Sequence, residues 1–200
     1  MLLTPPDLYV VRHGETEWNR IGRWQGPLDS ALTPRGEAQA RAMGRLLAEM
    51  GVTPATHRFD VSPQGRARRT AELILNGAGE ARVDDRLREI GVGAWAGRNR
   101  EEIRVEAGLG PDAHFLALYE AAPGGEPFEA LLARVTEYLK GLDRPTVAIT
   151  HGVTSRFLRT AALGLGLDRV AEVPGGQGVI HHVAGGAHRT LDAGEPGDAA

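Results

Sequence analysis

Three short, mainly apolar segments of the chain are each followed directly by polar or basic residues. The segments are Leu8–Val11, Phe59–Val61 and Thr146–Thr150. A continuous apolar run is typical of a strand that is buried on both faces, as in a parallel sheet. Polar residues that follow neighbouring parallel strands lie at one edge of the sheet, where open α/β sheets bind ligands. The pattern therefore predicts a parallel sheet with a polar pocket at its carboxyl edge.

Apolar positions at helical spacing predict a helix after each of these strands. Thr33 is a good N-cap residue and Pro34 suits the first helical position, so a first helix is expected to run from there to Gly51. A second helix is expected to begin near Gly65, and a third covers residues 153–165. Each helix returns the chain to the start of the next strand.

The rest of the chain is more irregular. Residues 99–141 are predicted to be mostly helical, with Gly/Pro-rich breaks at 108–111 and 123–127, and we interpret them as a cap-like insertion over the pocket. The sequence also predicts a short strand at residues 81–83 and a hairpin made of residues 179–183 and 189–191. Residues 193–200 are small and polar and are expected to form a disordered tail. With no internal repeat or linker evident, residues 1–200 are expected to form a single domain.

Composition limits the classes of function. The chain has 200 residues, a formal net charge of −3 and no cysteine. The acidic balance argues against a general binder of nucleic acid or anionic membranes, and the lack of cysteine excludes thiol chemistry. No apolar run approaches the length of a membrane span, and Met1–Leu3 is too short for a signal peptide. We therefore expect a cytoplasmic enzyme.

The candidate chemistry of the pocket is nucleophilic and cationic. A neutral imidazole carries a lone pair near pH 7, so His13 is a candidate nucleophile. Arg12 offers a fork of donors that matches phosphate oxygens, and Arg66 is expected in the first helical turn, where backbone donors also favour an anion. His151 follows the third strand. The alternative interpretation is that the strands simply end in polar residues.

The remaining histidines do not form a metal pattern. His181 and His182 are adjacent in a predicted strand, so their side chains point to opposite faces. His57, His114 and His188 are isolated and are expected to be exposed. Neither a His-Glu-x-x-His pattern nor a Walker A loop occurs in the sequence. We expect no metal and no other cofactor.

Five short motifs, in this order, resemble those of the histidine phosphatase superfamily, which shares its fold with cofactor-dependent phosphoglycerate mutase. They are Arg12-His13-Gly14-Glu15-Thr16 with Asn19, Gly22–Gly26 with Asp29–Thr33, Ser62 with Arg66-Ala67 and Thr70-Ala71, Leu87-Arg88-Glu89 with Gly93 and Trp95, and His151-Gly152. The similarity extends from about Leu8 to Arg156 and, more weakly, to Val183. The resemblance implies a three-layer α/β/α sandwich with a mostly parallel central sheet and a small helical cap insertion.

The resemblance also implies a mechanism. His13, neutral, would attack phosphorus and become phosphohistidine, which water then hydrolyses. Arg12, Arg66 and a protonated His151 would surround the phosphoryl oxygens. Glu89 would be the general acid and then the general base, although from the residues alone a salt bridge to a pocket arginine is an equally good interpretation. The other expected contacts with phosphate or substrate are Asn19, Gly152, Gln25 and Arg23.

The implied activity is that of a cofactor-independent, acid-type histidine phosphatase, a phosphomonoesterase for a small phosphorylated metabolite. A cap segment shorter than that of the mutases favours a phosphatase. A mutase-type phosphotransferase and a catalytically silent binding module remain alternatives. A homodimer is left open, whereas neither nucleic acid nor a membrane is expected as a partner.

Four positions depart from the pattern of the family: Gln64, Ala96, Arg98 and Pro127. All lie in or beside segments that resemble substrate-contacting loops, so they leave the identity of the leaving group open. Arg98 is expected at the mouth of the pocket, where its charge would favour a substrate with a second negative group. The alternative for Arg98 is an exposed surface charge.

Overall fold

A computed structural model describes residues 5–110 and 112–194. Its centre is a six-stranded sheet with the strand order β3-β2-β4-β1-β5-β6. The strands are β1 (Leu8–Arg12), β2 (Arg58–Val61), β3 (Arg82–Val83), β4 (Thr146–Thr150), β5 (Val179–Ala184) and β6 (Ala187–Asp192). Strands β1 to β4 are mutually parallel, whereas β5 runs antiparallel to β1 and β6 antiparallel to β5. The predicted α/β fold with a mostly parallel sheet is confirmed.

The helices of the described residues follow the predicted order. They are α1 (Glu17–Arg20), α2 (Pro34–Glu49), α3 (Gly65–Leu75), α4 (Arg100–Glu106), α5 (Phe115–Glu120), α6 (Phe128–Lys140) and α7 (Gly152–Ala162). Three short 3-10 helices cover Asp85–Leu87, Gly93–Trp95 and Leu167–Glu172. Helix α2 begins where expected because the Thr33 side chain accepts a hydrogen bond from Gly36 N and Pro34 occupies the first turn. The short helix α1 was not predicted.

The sheet is covered by helices on both faces. Because side chains alternate along a strand, Leu8 and Val10 of β1 belong to one buried apolar cluster, and Tyr9 and Val11 belong to another. Helices α6 and α7 supply the first cluster, and α2 and α3 supply the second. The central position of β1 and β4 explains their continuous apolar sequences. This arrangement is the three-layer α/β/α sandwich that was expected.

The predicted cap-like segment 99–141 divides into two parts. Helix α6 packs against α7 in a helix layer of the sheet, and its buried Tyr138 donates a hydrogen bond to the Asp60 carboxylate of β2 at 2.8 Å. Tyr119 of α5 instead stacks on Trp24, with ring centroids 4.3 Å apart, beside the pocket described below. Helix α6 therefore belongs to a helix layer of the sheet, whereas α5 lies beside the pocket. Of the predicted tail 193–200, residues 195–200 lie outside the described part of the chain.

No helix within residues 5–110 and 112–194 is both long enough and apolar enough to cross a membrane.

Candidate active site

The carboxyl ends of β1 and β4 bring two histidines together. The two strands pair in parallel, and His13 N donates to the Thr150 carbonyl at 2.9 Å. The rings of His13 and His151 therefore meet edge to face, with centroids 5.2 Å apart. Both side chains are buried. The structure thus brings the ends of these two strands together, as predicted.

The ring of His13 is held in one tautomer by its surroundings. Nδ1 lies 2.7 Å from the Gly14 carbonyl oxygen, which can only accept, so Nδ1 carries the proton and Nε2 keeps a lone pair. Arg66 Nε donates to Nε2 at 3.3 Å. Burial, followed by the charges of Arg12 and Arg66, holds the pKa of His13 well below 6.5. The ring is therefore neutral near pH 7, as a nucleophile must be.

Gly14 allows a close contact between two backbone segments. A Cβ atom at Gly14 would lie 2.2 Å from the carbonyl oxygen of Gly36, and one at Gly36 would lie 2.0 Å from the carbonyl oxygen of Glu15. The loop after β1 and the first turn of α2 thus touch through bare backbone. Gly14 N also donates to Thr70 Oγ1 of α3 at 3.1 Å. These contacts fix the loop that carries His13.

Arg12 is a half-buried cation that lines the pocket. Its pKa is lowered by burial, which the charge of Glu89 partly opposes. Among the described residues, no carboxylate lies within 4.0 Å of its guanidinium, and its buried Nε has no hydrogen-bond partner. The guanidinium packs on Gly152, where a Cβ atom would be 3.5 Å from Arg12 Cζ. A donor left in this state suits an anionic ligand.

Arg66 has a role that the sequence did not predict. Four of the five N–H groups of its guanidinium bind protein: Nη1 donates to the Leu28 carbonyl at 2.7 Å and to Asp29 Oδ1 at 3.1 Å, and Nη2 donates to the Gly26 carbonyl at 3.1 Å. With Nε on His13, Arg66 orients the histidine ring and ties it to the loop 26–29. A direct bond from Arg66 to phosphate stays a prediction, for which the second N–H of Nη2 is the remaining donor.

His151 lies beside His13 and is not itself among the residues that line the cavity described below. Its Nε2 is 2.7 Å from Ser62 Oγ, and its buried Nδ1 has no hydrogen-bond partner among the described residues. Burial, and then the charge of Arg66, lower the pKa of His151 well below 6.5. The protein alone therefore favours the neutral ring, and the protonated His151 stays a prediction for the complex with phosphate. The negative charge of a bound phosphoryl group is needed to favour the imidazolium.

Glu89 caps helix α7. Its Oε1 accepts hydrogen bonds from Thr154 N at 3.0 Å and Thr154 Oγ1 at 2.9 Å, and its Oε2 lies 3.3 Å from Val153 N. These donors belong to the first turn of the helix, where negative charge is favoured. The alternative salt bridge to Arg12 or Arg66 is absent from the described residues, although Glu89 does line the pocket. The carboxyl group is therefore fixed by backbone and faces the ligand space.

Gln64, one of the four departures, connects the loops of the site. Its Oε1 accepts from Glu89 N at 2.8 Å, and its Nε2 donates to the Gly26 carbonyl at 2.6 Å. Oε1 also lies 3.3 Å from Ser62 Oγ, the partner of His151. An apolar residue could make none of these bonds. Gln64 therefore holds together the loops that carry Gly26, Ser62 and Glu89.

The pocket is a cavity of about 260 Å³ above His13. The predicted residues that line it are Arg12, His13, Asn19, Arg23, Gln25, Glu89 and Gly152. Gln25 Nε2 donates to Thr16 Oγ1 at 3.0 Å, while its buried Oε1 has no partner among the described residues. Arg23 lies over the Trp18 ring, 5.1 Å from the centroid. Asn19 Oδ1 accepts from Gln177 Nε2 at 3.3 Å, so the side-chain oxygen is turned toward protein.

The expected position of Arg98 at the pocket mouth is wrong. Arg98 Nη2 pairs with Glu106 Oε2 at 2.6 Å on the outer surface, and Arg98 does not line the cavity. Arg100, at the start of α4, lies on the cavity wall instead. Arg98 and Arg100 are only two residues apart, but the turn before α4 directs their side chains differently. The motif alone does not show which of the two faces the cavity.

Sequence reasoning missed several residues of the cavity. The missed side chains are Phe115, Tyr119, Arg156, Arg159 and His181, and Gln177 supports the site from outside by donating to the His13 carbonyl at 3.1 Å. The spacing of Arg156 and Arg159 along α7, three residues apart, could have indicated that they share a face. His181 and His182 do point to opposite faces, since His182 stacks on Tyr9 with centroids 4.2 Å apart.

The expectation of exposure is wrong for two of the isolated histidines. His57 and His188 are half-buried, and His188 Nε2 lies 3.2 Å from His181 Nδ1. His114 is exposed, as expected. Within the described ranges, no group of three or more His, Asp or Glu side chains could hold a metal ion.

The chain is similar to proteins of one known family. The model of the histidine phosphatase superfamily (branch 1) matches residues 8–190. A probable phosphoglycerate mutase, GpmB, of Erwinia tasmaniensis is 34% identical over 170 residues, which cover 79% of this chain and 75% of that protein. The solved structure of Bacillus stearothermophilus YhfR is similar with a TM-score of 0.76 at 30% identity, covering 96% of this chain and 99% of the other.

A mycobacterial glucosyl-3-phosphoglycerate phosphatase, solved in complex with VO3, is similar with a TM-score of 0.77. It is 31% identical, and the match covers 92% of this chain and 96% of that one. The similarity extends over both the sheet and the segments that surround the pocket. The chain belongs to branch 1 of the histidine phosphatase superfamily.

Proposed function

We propose that this protein hydrolyses phosphate monoesters of small metabolites through a phosphohistidine at His13. The observation that carries the proposal is the state of the His13 ring. Its proton is committed to the Gly14 carbonyl through Nδ1, at 2.7 Å, so that Nε2 keeps its lone pair beside a pocket lined by Arg12, which has no carboxylate partner among the described residues. The lone pair accepts a hydrogen bond from Arg66 Nε at 3.3 Å, which would break when Nε2 attacks phosphorus. A neutral nucleophile beside a fixed cation suits attack on a phosphoryl group, whose charge spreads over its equatorial oxygens.

The reaction takes two displacements at phosphorus. In the first, His13 Nε2 forms a bond to phosphorus while the ester P–O bond breaks, and the departing oxygen takes a proton from the Glu89 carboxyl group. In the second, the Glu89 carboxylate takes a proton from water, the water oxygen attacks phosphorus, and the N–P bond breaks. Arg12 neutralises the phosphoryl oxygens in both steps, and the incoming negative charge favours the protonated form of His151.

The relatives support both a phosphatase and a second candidate. A glucosyl-3-phosphoglycerate phosphatase and a probable phosphoglycerate mutase resemble the chain at 31% and 34% identity. A mutase would use the same residues but return the phosphoryl group from His13 to another hydroxyl. The two activities differ in the acceptor of the phosphoryl group. A labelled phosphoenzyme can be given water and a hydroxy acid together, and the label found in each product is then measured. Transfer mainly to the hydroxy acid would establish the mutase.

The test uses p-nitrophenyl phosphate and a rapid quench. The native protein should release nitrophenol in EDTA, since each phosphate contact assigned here comes from protein, and orthovanadate should inhibit by occupying the phosphoryl site. A labelled substrate quenched early should leave an acid-labile, alkali-stable phosphoprotein. His13→Ala should lose both the label and turnover, by about 10³-fold or more.

His114→Asn is the matched control for this test. His114 is exposed and caps α5 through a bond from Leu116 N at 3.3 Å, which asparagine can also accept. This variant should keep the label and the rate of the native protein. Full turnover in His13→Ala, or a native protein without any hydrolysis, would reject the proposal, and the second result would favour a binding module.

A further inference from the structure

One end of the cavity holds a group of residues that the chemistry at His13 does not use. It consists of Arg156 and Arg159 of α7 with Ser155 and His181, and all four line the cavity. We call this group the distal arginine cluster. Arg159 lies eight residues beyond His151, or about 12 Å along the helix axis. Side chains on a helix lean toward its N-terminus, so the two guanidinium groups extend back toward the phosphoryl site.

The positive charge of Arg159 is buried and unpaired. The residue is 0% exposed, and no carboxylate of the described residues lies within 4.0 Å of it. Its Nε donates to the Ser155 carbonyl at 3.0 Å and its Nη1 to His188 Nε2 at 3.4 Å, whereas Nη2 has no partner among the described residues. A buried charge without an opposite charge is costly and is rarely retained without a reason.

The neighbours of Arg159 do not neutralise it. Burial, then the charge of Arg156, lowers the pKa of Arg159 to about 9, so it stays protonated near pH 7. Burial and the charge of Arg159 lower the pKa of His181 to about 3, so this ring is neutral. His188 is likewise shifted toward the neutral form. The side chains that surround Arg159 are therefore either uncharged or positive.

An independent observation points to a ligand at the same place. The hydroxyl of Ser155 is buried, lines the cavity and has no hydrogen-bond partner among the described residues. Arg156 is held in position beside it, because its guanidinium lies over the Phe115 ring at 4.7 Å and donates to the Val173 carbonyl. Two guanidinium groups and a hydroxyl without a partner thus meet at one wall of the cavity, and no carboxylate of the described residues neutralises them.

We propose that the distal arginine cluster binds a second anionic group of the substrate, a carboxylate or a second phosphate, while the scissile phosphate lies at His13. This inference rests on the proposed function and narrows its substrate class to small phosphate esters with two anionic ends. In this proposal, Arg156 and Arg159 of α7, and not Arg98, favour a substrate with a second negative group.

Matched substrates test the inference. Glycerol 3-phosphate and 3-phosphoglycerate differ by one group, a neutral hydroxymethyl against a carboxylate. 3-Hydroxypropyl phosphate and propane-1,3-diyl bisphosphate make the same comparison for a second phosphate. The native protein should prefer the doubly anionic member of at least one pair in kcat/KM, by about 10- to 100-fold, the range of one charge-assisted hydrogen bond. The pair with the larger preference identifies the anion.

Two variants assign that preference to the cluster. Arg159→Met keeps much of the volume and removes the charge, and Ser155→Ala removes the free hydroxyl. Both should reduce the preference ratio, Arg159→Met to near unity. Arg98→Met is the control, because it removes a guanidinium that pairs with Glu106 outside the cavity, and it should leave both rates and their ratio unchanged. If Arg159→Met does not fold, Ser155→Ala decides the question.

The outcomes separate this inference from the proposed function. A native protein that cleaves p-nitrophenyl phosphate but shows no preference within either pair would overturn the inference and leave the phosphatase intact. A preference that survives in Arg159→Met and Ser155→Ala would also overturn it. If no ester is hydrolysed, calorimetry with 3-phosphoglycerate and with the bisphosphate still decides. Weaker binding of either to Arg159→Met than to Arg98→Met supports the cluster, and equal binding rejects it.

Discussion

At the scale of single residues, Glu89 combines a structural and a chemical role. Its carboxylate accepts three hydrogen bonds from Val153 and Thr154 and so fixes the start of α7 while facing the cavity. A general acid must be held at a defined place, and backbone donors do this without a competing side-chain charge. Because of these contacts, a simple loss of activity on mutation would not identify the role of Glu89. A comparison of substrates with different leaving groups separates the two roles.

Glu89→Gln keeps the size of the side chain and one acceptor oxygen but cannot supply the proton. An alkoxide needs that proton as the P–O bond breaks, whereas nitrophenolate is stable as an anion. The rate of phosphoenzyme formation should therefore fall by about 10²–10⁴-fold for an alkyl phosphate and far less for p-nitrophenyl phosphate. Pre-steady-state measurement is required, because slow dephosphorylation of the mutant would mask the difference in steady turnover.

Thr154→Val is the matched control for Glu89. It removes a hydroxyl that can donate to Glu89 Oε1 at 2.9 Å or to the Arg88 carbonyl at 2.8 Å, yet retains the Glu89 carboxyl group. It should slow both substrates to a similar, smaller extent. If Glu89→Gln also affects both substrates equally, the general-acid assignment is wrong and Glu89 only caps α7.

At the scale of elements, the loop that carries His13 depends on a close contact between two backbone segments. The loop after β1 and the first turn of α2 approach each other through Gly14 and Gly36, with no room for a Cβ atom on either side. The Gly14 carbonyl accepts a hydrogen bond from His13 Nδ1, and this contact places its peptide against the sixteen-residue helix α2. The rigidity of the nucleophile therefore comes from how one helix packs on one loop.

Gly36→Ala tests this contact. Alanine in a helix is ordinarily about 1 kcal/mol more favourable than glycine. Here its Cβ would meet the Glu15 carbonyl oxygen at 2.0 Å, so the loop must move, at a cost of about 1–3 kcal/mol. We expect a net loss in the free energy of unfolding, measured with urea, and a lower rate of phosphoenzyme formation. Gly110→Ala is the control, since a Cβ there has no neighbour within 4 Å. Equal stability in the two variants would contradict the argument.

At the scale of the whole molecule, the buried histidines connect stability to pH. Burial lowers the pKa of His13, His151 and His181 below 6.5, and that of His181 reaches about 3. Above pH 6.5 both folded and unfolded forms of these groups are neutral. Below it the unfolded chain takes up protons that the folded protein excludes, so stability decreases as pH falls. Each such histidine lowers the free energy of unfolding by up to about 1.4 kcal/mol for each pH unit of acidification in this range.

The free energy of unfolding should accordingly decrease between pH 7 and pH 5. Urea titrations at several pH values measure the slope, which gives the number of protons taken up on unfolding. His181→Gln should flatten the slope by about one proton, because glutamine does not titrate and can still pair with Thr190 Oγ1, now 3.2 Å from His181 Nδ1. An unchanged slope in His181→Gln would show that this ring is protonated in the folded protein.

The sequence alone determined the parts of this protein that depend on local pattern. Apolar runs at Leu8–Val11 and Thr146–Thr150 specify buried parallel strands, and Thr33 with Pro34 specifies the start of α2. Because parallel strands end at one edge, the positions of Arg12-His13 and His151 were already enough to predict that the two histidines meet. These features follow from periods of two and 3.6 residues and from caps, which neighbours in sequence decide.

Only the tertiary structure decided which side chains pair across the pocket. It turned the guanidinium of Arg66 onto His13 and the loop 26–29, gave Glu89 to the start of α7, and directed Arg98 to Glu106 outside. It also brought His181 of β5 beside Arg159 of α7. Each of these pairings joins groups whose partner is chosen by sheet order, helix packing and the exclusion of water. Local periodicity carries no information about those choices, because burial selects a partner by position in space and not by distance along the chain.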